Sequence, residues 1–248
     1  MTPHPINRII WLIGAGFYFG VPLMATAAFS LGGPHPFDAY RMVLQSPGFW
    51  HGLTLSLGLA LVTVAGGILV ILPAAFWVHW KGAAWKPWVD AVSLMPFVVP
   101  PIVLVMALMR FYGAWAGRPI LLTAAYITIS LPYLYRTLAA GMADGNLPRL
   151  VEAALGLGAG WPTIMVRVVV PALRTALLGG TFLVMALILG EYAIASMLGY
   201  NTFGVYMELT GETAARPAAA LAVLSFIWVW ALTVIVTRLS GPRTGQPV

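Results

Sequence analysis

The chain has 248 residues, 60% of them hydrophobic and only 8% charged, with a formal net charge of +6 and a mean hydropathy of +0.91. Soluble domains carry about 25% charged residues, so a chain this poor in charge cannot cover a water-facing surface and must turn most of it to lipid. The absence of cysteine excludes thiol catalysis, disulfides and thiolate metal sites, and His4, His35, His51 and His79 lie outside apolar runs or at their ends, which argues against histidine chemistry inside a membrane.

At ~20 residues per span, this length suits about six helices and leaves no room for a soluble domain. The expected architecture is all-α and integral to the membrane, a single domain over residues 1–248. The first helix is expected at about 9–31; its end, Ala25-Thr26-Ala27-Ala28, has the small residues of a signal-peptide cleavage site, but the apolar run is long and reads as an uncleaved span. Gly32-Gly33-Pro34 then opens a loop, and the second helix covers about 50–79. The third is expected at about 88–112, the fourth at 120–142, the fifth at 172–198 and the sixth at 218–239. Between the fourth and fifth lies a polar island, residues 143–171, longer and more charged than a simple crossing needs.

An even number of spans puts both termini on one side. That side carries Arg8, Lys81, Lys86, Arg136, Arg149, Arg167, Arg174, Arg238 and Arg243, against Arg41, Arg110, Arg118 and Arg216 on the other. Short cytoplasmic loops are enriched in Lys and Arg, so the termini and the island are expected in the cytoplasm. Basic flanks of membrane spans also account for the net charge without invoking nucleic acid. Asp38, Glu208 and Glu212 fall on the outer side, where they form either a solvated loop face, the favoured reading, or a contact for an external protein.

Within the spans, Met95-Pro96-Phe97-Val98-Val99-Pro100-Pro101 predicts a broken or kinked element beside a pathway. Pro73 and Pro132 bend helices singly, while Gly66-Gly67 and Gly179-Gly180 suit close helix–helix contact. In the island, Leu147–Leu157 predicts a short amphipathic helix with Pro148 in its first turn. Val151, Ala154 and Leu155 share one face and Arg149 and Glu152 point to water. Gly156, Gly158 and Gly160 then permit a sharp turn into a second segment, Trp161–Val170, ended by Pro171. Such a protruding helix–turn–helix suits a groove on a soluble partner.

Glu152-Ala153-Ala154, three residues, Gly158, nine residues, Val168, one residue, Val170 and Pro171 is similar to the EAA loop of binding-protein-dependent ABC importer permeases of type I. The resemblance extends through Leu131-Pro132-Tyr133, Arg136-Thr137 and Gly141 upstream and Arg174 and Leu189-Gly190-Glu191-Tyr192 downstream. The first half of the chain matches in span pattern only, Val168 and Val170 replace the usual Ile and Leu, and Trp161-Pro162 inverts the common Pro-Trp. The resemblance implies a six-helix permease fold in a bacterial inner membrane, with a cytoplasmic coupling helix seated on an ATPase subunit. Glu152, Ala153, Ala154, Gly158, Arg167 and Pro171 would be its coupling residues, Glu152 pairing with a base and Gly158 making the turn. It further implies a pair of ATPases holding ATP and Mg, a second permease, related or identical, and an external solute-binding protein. Gly156-Leu157-Gly158-Ala159-Gly160 lacks the Gly-Lys-Ser/Thr that cradles phosphates, so no cofactor or nucleotide is expected on this chain.

For the solute path, Glu191 stands out as an acid inside an apolar run, where a charge at mid-membrane costs ~2.5–3.5 kcal/mol. It is either a pathway group or a structural partner for a neighbouring helix. Tyr192, Tyr133, Tyr135 and Ser196 are candidate polar lining. The Leu-Gly-Glu-Tyr segment looks most like the spermidine/putrescine, thiamine, ferric-iron and aminoethylphosphonate branch, and Glu191 inclines the reading to a polyamine. Two other classes stay in view. An intramembrane enzyme needs a nucleophile such as Ser130, Ser196 or Ser225 with a base at depth, and a secondary carrier usually shows duplicated halves, which this chain lacks.

Overall fold

The structure, a computed structural model, describes residues 5–115, 117–143 and 146–240. Among them there are helices and connecting loops and no strand, because lipid offers no partner to backbone groups and a helix satisfies them internally. In chain order the helices are α1 (Pro5–Ser30), α2 (Asp38–Gln45), α3 (Pro47–Trp80), α4 (Lys86–Val98), α5 (Pro101–Tyr112), α6 (Pro119–Met142), α7 (Leu147–Gly156), α8 (Trp161–Ile164), α9 (Val170–Ala172), α10 (Arg174–Leu189), α11 (Ala193–Met197), α12 (Phe203–Thr213) and α13 (Ala215–Ser240).

By length and apolarity α1, α3 and α13 each suit a bilayer crossing, and two bent pairs raise the number to five: α4 with α5, at 98°, and the Trp161–Ala172 segment with α10, at 77°. α6 has 24 residues, about 36 Å at 1.5 Å per residue, enough for a ~30 Å hydrocarbon layer. It is the most polar of the long helices because protein encloses it. Leu122, Ala125, Tyr126, Leu134 and Leu138 are wholly buried, with α3, α10 and α4 around them. Small residues set how closely these helices approach. A Cβ on Gly67 of α3 would lie 2.6 Å from Leu134 Cδ1, one on Gly180 of α10 would lie 2.6 Å from Thr137 Oγ1, and one on Gly141 of α6 would lie 2.7 Å from Ala176 Cβ. Gly179, by contrast, faces open space.

Two of the expected spans are discontinuous. The span expected at about 88–112 divides between α4 and α5, where Val99 is extended (φ −82, ψ 116) and Pro100 follows at ψ 140. A residue before proline is pushed out of the α region, and Pro101 suits the first turn of the next helix. The span expected at 172–198 divides at Gly190–Tyr192, with α11 as a separate short helix. No proline marks this second break; its cause is tertiary and is described below. Loops expected without structure also hold helices: α2 precedes α3, and α12 precedes α13. α2 buries Ala39 and Val43, and Val43, Phe49, Phe203 and Leu221 form a small core of their own. At the edge, α1 lies along α13, and Arg216 Nη1 donates to the Gly32 carbonyl at 3.0 Å.

Candidate functional site

The two regions singled out by sequence lie at opposite ends of α10. At its N-terminal end is the 143–171 loop. Pro148 occupies the first turn of α7, and Leu147 and Val151 are buried while Arg149, Glu152 and Ala153 are exposed and Ala154 is half-buried. Leu155, expected on the buried face, is 37% exposed; Leu147, one turn before Val151, takes the inward position instead.

The spacing from Ala154 to Gly158 has a backbone explanation. Ala159 N–H donates to the Ala154 carbonyl at 3.0 Å and Gly158 N–H to the Leu155 carbonyl at 2.9 Å. This pair of bonds is the Schellman motif, which demands a left-handed residue at the position Gly158 occupies. Gly158 has φ +80. A small residue at 154 allows Ala159 to fold back over it, and both touch the main core. The Ala-Ala-three-residue-Gly pattern is therefore the register of a helix stop.

After the turn, Gly160 is extended and α8 opens with Trp161 and Pro162. The Trp161 ring meets Trp80 at 5.0 Å and Phe76 at 6.3 Å, both edge-on, which anchors the loop to the end of α3. Ile164 and Val169 are wholly buried beneath it. Residues Met165–Val169 form a π turn, with Val170 N–H reaching the Met165 carbonyl; Pro171, which has no N–H, follows directly. The chain then bends at Leu173 (φ −96, ψ 11) into α10. Arg167 is exposed on the π turn, and neither it nor Glu152 has an ion-pair partner among the described residues. Around them Leu157 is 89% exposed and Val166 66%. Apolar residues bared beside free charges on a structured protrusion are the marks of an interaction surface.

At the other end of α10, Glu191 organises the break. Its Oε1 accepts from Ile194 N–H at 2.7 Å, and its Oε2 from Ala195 N–H at 3.1 Å and from the Tyr126 hydroxyl at 3.0 Å. The carboxylate thus closes the first turn of α11 and ties it to α6. α11 ends as α7 does: Gly199, at φ +78, donates to the Ser196 carbonyl and Tyr200 N–H to that of Ala195. Phe203 N–H donates to Ser56 Oγ of α3 at 2.9 Å, and Gly204 lies so close to the Glu191 carbonyl that no Cβ fits there.

The other candidate lining residues do not join Glu191 in one cluster. Tyr133 lies seven residues from Tyr126 along α6, about 10 Å, and stacks edge-on against Phe97 of α4 at 5.3 Å. Ser196 Oγ donates to the carbonyl of Ala193 in its own helix. Tyr192 is 39% exposed. The Tyr135 hydroxyl donates to Asp90 Oδ1 at 2.6 Å, so Asp90 is a second acid within a span beside Glu191; no sequence pattern pairs it with a tyrosine on another helix. Tyr126 and Asn201 are the other residues here that sequence does not single out. The apolar cavity of about 170 Å³ near Gly190, lined by Phe49, Met185, Phe203 and Trp228 among others, offers almost no polar group to a hydrophilic solute.

A helical membrane bundle with broken spans and a structured protruding loop defines a polytopic transport component. The chain belongs to the family of binding-protein-dependent transport system inner membrane components, whose pattern matches residues 66–246, and it is a permease subunit of an ABC importer. It is 27% identical over 205 residues to the putative molybdenum transport system permease protein of Bacillus subtilis (strain 168), covering 76% of this chain and 88% of that one. It is also 27% identical over 200 residues to the spermidine/putrescine transport system permease protein of Haemophilus influenzae, covering 75% and 72%. In fold it is similar to a chain of a bacterial alginate ABC transporter solved with its alginate-bound periplasmic protein (TM-score 0.72, 16% identity, 98% and 96% covered).

Proposed function

We propose that this permease receives a small polar solute from an external binding protein and is driven through its 143–171 loop by two separate ATPase subunits. The observation that carries this reading is the loop itself: a helix stopped by Gly158, anchored through Trp161, and presenting Glu152, Arg167 and Leu157 exposed, the two charges without ion-pair partners among the described residues. Glu152, Ala153, Ala154, Gly158, Arg167 and Pro171 act as the coupling element, with ATP and Mg held by the partners. A second permease, related or identical, completes the pathway. Both termini and the loop face the cytoplasm, where the basic residues concentrate.

On the cargo, the polyamine reading relied on Glu191 meeting a cation. Its carboxylate already accepts three hydrogen bonds within the chain, which withdraws that support; the alternative cargo is a small oxyanion such as molybdate, the class named for the Bacillus relative. The test is uptake by the complex reconstituted in vesicles with its ATPases and binding protein, with molybdate and spermidine supplied in parallel. Uptake that persists with a catalytically dead ATPase refutes the importer mechanism, and uptake of spermidine alone refutes the oxyanion.

A further inference from the structure

The segment between α10 and α12 is irregular at a depth where irregular backbone is costly. Tyr126, which holds Glu191, lies seven residues from the start of α6, about 10 Å inside its external end. α12, with 11 residues, carries the chain about 16 Å back outward beside α13 and α3. Residues 190–202 therefore lie in the outer half of the bundle, within the span of the surrounding helices.

The two sides of this segment differ. Its back is packed against the bundle, with Glu191 on Tyr126, Ile194 and Ala195, Phe203 on Ser56, Thr202 wholly buried, and the Tyr200 hydroxyl buried without a hydrogen-bond partner among the described residues. Its front is exposed and polar. Gly199, Asn201 and Tyr192 are all exposed, and neither the Asn201 carboxamide nor the Tyr192 hydroxyl has a hydrogen-bond partner among the described residues. Non-helical backbone at membrane depth persists only where protein buries it or water reaches it, and an unpaired carboxamide facing hydrocarbon is strongly disfavoured. This chain does not bury that front. α11 also packs on α5, the helix that follows the second discontinuity, where Val99 and Pro100 are exposed. Contact between two discontinuous helices is where membrane transporters place their solute sites.

We propose that Asn201 and Tyr192 line a water-filled stretch of the pathway and are neutral hydrogen-bonding contacts for the passing hydrophilic solute. Neutral groups suit a transit site, which must hold the solute weakly enough to release it. Glu191 is then a positioning residue that shapes the hairpin from behind. The proposal deepens the importer reading and depends on it only for the driving force.

The chain contains no cysteine, so single replacements report accessibility directly. Asn201→Cys and Tyr192→Cys are compared, in the assembled complex in vesicles, with Phe17→Cys on the peripheral α1 and Ala195→Cys in the core, using a charged, membrane-impermeant methanethiosulfonate reagent. Phe17 is 68% exposed and Ala195 fully buried. Both pathway positions are expected to react at least ten times faster than either control, at rates that change when the ATPases are trapped closed. Asn201→Ala is expected to raise the KM for uptake several-fold more than it lowers the maximal rate. Labelling at 201 and 192 no faster than at 17 overturns the proposal. Fast labelling that ignores nucleotide supports the pathway and counts against ATP coupling, so the two readings fail separately.

Discussion

Gly158 gives the most exact test of why the 143–171 loop has its spacing. A Cβ at this position would meet nothing within 4 Å, yet φ is +80, so the cost of alanine there is conformational alone. Left-handed backbone costs an L-residue roughly 1–2 kcal/mol, which corresponds to about a 5- to 30-fold loss of the turned state. Gly158→Ala is expected to weaken ATPase binding by that factor. Gly158→Asn, whose side chain tolerates the left-handed region, should lose less, and the β-branched Gly158→Val should lose more. Gly156 supplies the control two residues away: it ends α7 in helical conformation with equally open space. Gly156→Ala should be neutral or stabilise the helix by about 0.5–1 kcal/mol. The assay is binding of the purified ATPase to the permease in nanodiscs, with ATP-driven uptake measured alongside. Equal affinity for the Gly158→Val and Gly156→Ala proteins would show that the turn is not what the glycine supplies.

Four further outcomes follow from the structure. Glu152→Lys should insert normally but lose ATP-dependent uptake, because the exposed carboxylate has no ion-pair partner among the described residues; unchanged uptake in vesicles counts against its coupling role. Tyr126→Phe removes one of three donors to Glu191, and a hydrogen bond to a charged group is worth about 1.5–3 kcal/mol, so the thermal midpoint should fall by several degrees. Glu191→Ala, which removes all three bonds, should cost more stability and impair uptake more than ATPase docking; full transport by this variant sinks the positioning role. Gly204→Ala sets a Cβ 2.8 Å from the Glu191 carbonyl carbon, whereas Gly211→Ala on the same helix meets nothing within 4 Å. The first should abolish recovery of folded protein and the second should leave it unchanged, as size-exclusion profiles of detergent extracts would report.

Local chemistry made part of this legible from sequence. Val99-Pro100-Pro101 announces its break, because the constraint lies in the prolines and the residue before them. The spacing of Ala154 and Gly158 announces a helix stop, because the Schellman register spans only six residues. The break at Gly190–Tyr192 has no such local sign: the run from Ala172 to Leu198 is apolar and free of proline after Ala172. What ends α10 is a carboxylate that turns back onto the amides of Ile194 and Ala195, held there by a tyrosine 65 residues earlier. The same holds for Asp90 and Tyr135, separated by 45 residues. An acid within an apolar run signals that a partner exists, but packing alone names the partner, here the Tyr126 hydroxyl with the amides of Ile194 and Ala195.

The two regions are joined by one rod. α10 begins at Leu173 (φ −96, ψ 11) and ends at Gly190 (φ −93, ψ 0), both in the narrow bridge between α and β conformations. Each end is therefore a defined corner of the chain. Between the corners α10 is held against α6 by contacts too close for any larger residue, at Gly141 with Ala176 and at Gly180 with Thr137. Close-packed helices resist bending and shear because interiors leave no slack to absorb strain. On the coupling role proposed for the loop, a force applied there is expected to reach the Glu191 break as a rigid displacement of α10 and α6 together. Tyr126, which is part of α6, travels with that unit and keeps the α11 hairpin in register with it. The faces expected to separate are then those outside the pair, the exposed front carrying Tyr192 and Asn201 and the exposed α4–α5 corner at Val99 and Pro100.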